Sequence, residues 1–305
     1  MKKILIPIDA SYDSVKSIIT AAEIAKKNKA EICIVNSYEL PKIFGETNSF
    51  STPYPVLRLK HSIEKNIIDS LKTKTKKLLS KAGIGSWNWK DDIIIKNGTP
   101  KEVIISELKK DDVGLVVMET RNHIEAKDSI TYDVLKNSNT PVLAVPTMSS
   151  KCNKIKSIVY STDLNHSNNE ALGKLANLAK IYDADITLLH VGERGDSAIS
   201  TKRKKHKLNK LLLRIPLKNE RKNFKLIYAD TALDGLNRFV KVMNPGLFAM
   251  TTHTQSFFQT FFHESLTKLI LAKSNIPVLT FNKDNISEYN NQLHRTISPI
   301  QASLF

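Results

Sequence analysis

Ile4-Leu5-Ile6-Pro7-Ile8-Asp9 is a short apolar run ended by a carboxylate, and Ile158-Val159-Tyr160-Ser161-Thr162-Asp163 repeats it later in the chain. Working outward from this pair, three further blocks recur in the same order. Ala30-Glu31-Ile32-Cys33-Ile34-Val35 is echoed by Ala184-Asp185-Ile186-Thr187-Leu188-Leu189, at the offset of the first pair. Leu115-Val116-Val117-Met118 is echoed by Leu247-Phe248-Ala249-Met250. Asn139-Thr140-Pro141-Val142-Leu143 is echoed by Asn275-Ile276-Pro277-Val278-Leu279. Four matched blocks in one order predict two copies of one domain, so every functional residue must be sought twice.

The first copy alternates short apolar strands with helical stripes. Lys3 to Ile8 is nearly continuous in apolar residues, the pattern of a strand buried on both faces. Val15, Ile18, Ile19, Ala22 and Ala25 then recur at helical spacing within 14–28. Strands follow at 31–35, 92–96, 115–118 and 142–145, with helices at 58–81, 101–109 and 129–136. Residues 38–55 carry three prolines and a glycine and read as a long loop. Gly83 is placed to close the second helix in a left-handed conformation, and Pro100 to open the third. Strand-helix alternation predicts an α/β fold: two tandem five-stranded parallel sheets, each doubly wound by helices. The expected boundaries are 1–148 and 152–282, with a polar tail at 283–305 that this reading does not place.

A chain of 305 residues accommodates two such domains. A hydrophobic fraction of 41% and a charged fraction of 25% belong to a globular protein. No apolar run approaches membrane-spanning length. The first strand begins too early and contains a proline, so no signal peptide is expected, and a cytoplasmic location follows as the expectation. Cys33 and Cys152 form neither a disulfide framework nor a metal spacing. The net charge of +16 stands out. Its lysines are spread along the sequence, so solvated helix faces are expected, with no membrane role and nucleic acid unfavoured as a partner.

With these blocks in view, the chain resembles the universal stress protein family in its tandem form. The strand-end Asp, the Leu188-Leu189-His190-Val191 segment, Gly98-Thr99-Pro100 and the closing Pro-Val-Leu strands carry the resemblance, which spans about residues 1–282. It implies the adenine-nucleotide hydrolase-like sheet and a ligand cleft at the carboxyl ends of strands one and four. Some members hold ATP there, through a loop after strand four that reads Gly, two residues, Gly, nine residues, Gly, then Ser or Thr. Glycine lets backbone amides approach phosphate, and the following helix points its positive end at it.

Carried onto this chain, that pattern loses all its glycines. In the second copy the positions fall on Thr251, Thr254 and Glu264, with Ser265 in the Ser/Thr place. In the first they fall on Glu119, Asn122 and Asp128, followed by Ser129. Asp128 and Glu264 put a carboxylate before a helix, where a phosphate sits in the nucleotide-binding members. A helix amino terminus stabilises a nearby anion by about 0.3–1 kcal/mol. No cofactor is therefore expected; the alternative is ATP held by loops that bend differently. Asp9, Ser129, Asp163 and Ser265 remain as residual nucleotide-site positions. For Asp9 and Asp163, capping of the next helix is an equal alternative.

Other candidates are weaker. Lys202 to Lys210 reads as the solvated start of a long helix with Leu208, Leu211 and Leu212 inward. Phe257, Phe258, Phe261 and Phe262 are expected to plug the second cleft, the alternative being an apolar ligand or partner surface. His123, His166, His253 and His263 lack metal-ligand spacing, and no nucleophile-base set has motif context, so neither a metal nor a catalytic site is assigned. The sequence therefore predicts a stress-response protein that acts by binding or scaffolding, through a protein partner it does not identify; the alternative is an adenine-nucleotide-binding switch with slow ATPase activity. The two copies are expected to pair as an internal pseudo-dimer through Val142–Val145 and Val278–Phe281, with a homodimer as a further possibility.

Overall fold

A computed structural model describes residues 3–8, 15–39, 54–84, 93–110, 112–120, 130–147, 155–164, 169–252 and 276–282. The first half runs β1 (Lys3–Pro7), α1 (Val15–Asn28), β2 (Glu31–Tyr38), α2 (Tyr54–Lys81), β3 (Ile93–Asn97), α3 (Pro100–Leu108), β4 (Val113–Thr120), α4 (Ile130–Asn137) and β5 (Val142–Pro146). The second runs β6 (Ser157–Ser161), α5 (Asn169–Tyr182), β7 (Asp185–Glu193), α6 (Ala198–Leu213), β8 (Lys222–Ala229), α7 (Ala232–Met243), β9 (Leu247–Thr252) and β10 (Val278–Asn282).

Local chemistry sets several boundaries. Gly83 adopts φ 68°, and the N–H of Ile84 donates to the Leu79 carbonyl, closing α2 as its glycine predicts. The start of α2 lies earlier than the sequence pattern placed it: Pro55 sits in the first turn, where its missing N–H costs nothing. Thr99 caps α3 with a reciprocal pair, its hydroxyl accepting from the Glu102 N–H while the Glu102 carboxylate accepts from the Thr99 N–H.

Ten strands form one sheet in the order β3-β2-β1-β4-β5-β10-β9-β6-β7-β8. Within each half every strand pair is parallel; β5 and β10 meet antiparallel, with Leu279 opposite Leu143. The order is therefore the same read inward from either end. Alternation along the strands divides the core between two faces. Ile4, Ile6, Ile32 and Ile34 join Ile158, Ile186 and Leu188 on the face covered by α1, α2, α5 and α6. Leu5, Cys33, Val116, Val159, Leu189 and Phe248 occupy the face covered by α3, α4 and α7. The first face is continuous across the seam: the Lys27 ammonium donates to the Ile181 carbonyl, and Asn177 Nδ2 donates to Asn28 Oδ1 at 2.7 Å.

Candidate functional site

The carboxyl ends of β6 and β7 open into a cavity of about 360 Å³. Ser161, Thr162 and Asp163 form its β6 side, and His190, Val191 and Glu193 its β7 side. α6 contributes Ser200, Arg203, Lys204 and Lys207, and Ala232 and Leu236 of α7 close it. Of the residual-site residues, Asp163 lines this cavity. Asp9, Ser129 and Ser265 lie outside the described residues, as do Asn122, Asp128, Thr254, Glu264, the four phenylalanines and the four histidines singled out above.

One bond holds the strand end in both halves. The Nδ1 of His190, on β7, hydrogen-bonds the carbonyl of Thr162 at 2.8 Å, just before Asp163. At the matching place on β2, Asn36 Nδ2 donates to the Ile8 carbonyl at 2.6 Å, just before Asp9. The same offset of 154 relates Asn36 to His190 and Ile8 to Thr162. Since a carbonyl only accepts, the proton lies on Nδ1, which leaves Nε2 of the neutral ring as an acceptor. Burial holds the His190 pKa below its ordinary value, and the Lys204 charge adds to this. The Thr162 carbonyl, Asp163 and Asp196 oppose it. Sequence reading quoted His190 only as part of a resemblance and passed over Asn36. The signal available was that both are polar residues at equal offset in otherwise apolar strands.

The cations of α6 are not equivalent. Lys204 is paired with Asp196, which also accepts from the Ser200 hydroxyl at 2.9 Å. Arg203 and Lys207 are exposed on the cavity rim. The run from 202 to 210 does form a solvated helix start with Leu208 and Leu211 inward. Part of it also lines the cavity, which the charge pattern did not reveal.

Side chains stand where the family pattern begins its glycines. Thr251, at the end of β9, shares a 2.7 Å hydrogen bond with the hydroxyl of Tyr160, a residue 4% exposed. Burial, reinforced by Asp163, pushes the Tyr160 hydroxyl up to about 12. In the first half, Glu119 at the end of β4 turns back onto α1. The backbone of Lys16 and Ser17, in that helix's first turn, favours the charged form of Glu119, while its Oε2 is buried without a hydrogen-bond partner. A helix leaves its first amides without internal partners, which is why they favour a carboxylate there. Burial nevertheless raises the Glu119 pKa. Among the described residues no group of His, Cys, Asp and Glu has metal-binding geometry, and no helix is long and apolar enough to cross a membrane.

Residues 1–146 match the family model described as the universal stress protein family. Over that stretch the chain is similar to the universal stress protein family. Solved structures extend the likeness in fold over both halves. A universal stress protein from Archaeoglobus fulgidus DSM 4304 superposes with TM-score 0.63 at 15% identity, covering 92% of this chain and 96% of its own. A protein of unknown function from Pseudomonas aeruginosa PAO1 gives TM-score 0.61 at 12% identity, covering 97% and 98%. No curated protein sequence matches this chain. The universal stress protein fold is thus common to both halves, including the second, which the family model does not reach.

Proposed function

We propose that this chain acts by binding and not by catalysis, and that neither half holds ATP in the manner of the nucleotide-binding universal stress proteins. The observation that carries this reading is the commitment of Thr251 and Glu119, which stand where the family pattern begins its glycines. A phosphate approaching the end of β9 would have to displace a hydroxyl bonded to buried Tyr160. One approaching the end of β4 would meet the buried Glu119 carboxyl beside the start of α1. Titration calorimetry with ATP and magnesium tests the reading: no saturable heat is expected at millimolar nucleotide, and micromolar binding would overturn it.

A second reading is supported by the cavity beside Asp163. Its volume, acceptor groups and the rim cations Arg203 and Lys207 suit a small adenine nucleotide held in the second half alone. Asp163→Asn separates the two: under this reading it weakens a measurable nucleotide affinity at least tenfold, whereas the leading reading leaves no affinity to lose.

A further inference from the structure

The fold sorts the chain's charge onto one side of the sheet. The helices α1, α2, α5 and α6 carry 19 Lys or Arg against 4 Asp or Glu, an excess of 15. Those on the opposite face, α3, α4 and α7, carry 4 of each. The whole chain has a net charge of +16, and these four helices alone carry an excess of 15.

Two helices dominate. On α2, all eight cations, from Arg58 to Lys81, are exposed. On α6, Lys202, Arg203, Lys205, Lys207 and Lys210 are exposed, and the helix contains no acidic residue. α2 packs beside β3 and α6 beside β8, the two edge strands. The β2–β3 and β7–β8 pairs lie eight strand spacings apart, about 38 Å along the sheet at about 4.8 Å per spacing. One turn of duplex nucleic acid is about 34–36 Å. The β5–β10 seam lies midway between the helices, so the basic ridges are placed alike about the centre of the face.

We propose that this face binds double-stranded nucleic acid through its phosphate backbone, without reading sequence, α2 and α6 meeting phosphates about one turn apart. Charge complementarity over this span favours a duplex over the two main alternatives. Single-strand binders stack bases mainly on Phe, Tyr and Trp, and α6 has none of these. A helix lying in a membrane surface turns an apolar stripe outward. Here Leu71 and Leu79 of α2, and Leu208 and Leu211 of α6, face the core. Arg203 and Lys207 also rim the ligand cavity, whereas Lys202, Lys205 and Lys210 do not line it.

Fluorescence anisotropy of the full chain with a mixed-sequence 24-base-pair duplex tests it. Affinity should fall by at least a thousandfold between 50 and 200 mM salt, as for a protein neutralising about six phosphates. Lys72→Glu/Lys76→Glu/Lys77→Glu on α2, and Lys202→Glu/Lys205→Glu/Lys210→Glu on α6, should each weaken binding at least tenfold. Neither set touches the cavity. A control of equal charge change on the other side, Lys109→Glu/Arg238→Glu/Lys241→Glu, should stay within twofold. Lys→Gln versions of the same sites guard against misfolding and should rank in the same order. Absence of duplex binding at low salt, equal losses in the control, or capture by phosphatidylserine vesicles with the duplex ignored would each overturn the proposal.

Discussion

At the scale of residues, both halves solve one problem with different side chains. The carbonyl before the strand-end Asp needs a donor, and Asn36 supplies an amide where His190 supplies an imidazole. The difference has a pH signature. Because the folded-state pKa of His190 is depressed, its contribution is present above the unfolded value, about 6.5, and is lost as pH falls below it. His190→Asn, which copies the first half, should therefore flatten this part of the stability–pH profile between about pH 7 and 5, read by urea unfolding. The Thr251–Tyr160 bond gives a second expectation. Thr251→Gly strands a buried hydroxyl and should cost about 1–3 kcal/mol in denaturant unfolding, whereas Thr251→Ser keeps the partner hydroxyl and should cost less than about 1 kcal/mol. These bonds were not legible in the sequence. His190 and Thr162 stand 28 residues apart, and Tyr160 and Thr251 stand 91 apart; only the parallel register brings them together.

At the scale of elements, helix α7 sets the depth of the cavity through a close approach. A Cβ on Gly235 would come within 2.5 Å of Val191 Cγ1 and 3.1 Å of Ala229 Cβ. Val191 is branched at Cβ and cannot swing away as a flexible side chain would. Gly235→Ala should therefore push α7 off β7 and cost about 1–3 kcal/mol, as overpacking does. Because Val191 and Leu236 both line the cavity, probe binding there should weaken alongside the melting temperature. Elements were the most legible level of this chain. Continuous apolar runs identified the parallel strands, and Pro100 and Gly83 placed two helix boundaries. The start of α2 was missed because Pro55 suits both a loop and a first helical turn. The α3 capping box shows how little sequence a boundary needs: Thr99, Pro100 and Glu102 specify it in four residues.

At the scale of the whole molecule, the duplication produces one continuous sheet, with β5 and β10 removing each other's exposed edge. The same topology converts a charge that looks dispersed in sequence into a single face. The sequence lists lysines in chain order; the fold lists them by which helix covers which side. Right-handed crossovers place α1, α2, α5 and α6 together because β1 to β3 and β6 to β8 both step outward from the seam. The ligand question is also a whole-molecule one, since the proposed loss of ATP binding concerns both halves. The most direct measurement is a native mass spectrum of the purified chain, alone and with ATP and magnesium. The account predicts a single species at the mass of the polypeptide in both spectra. A stoichiometric nucleotide adduct, co-purified or acquired on titration, would contradict it.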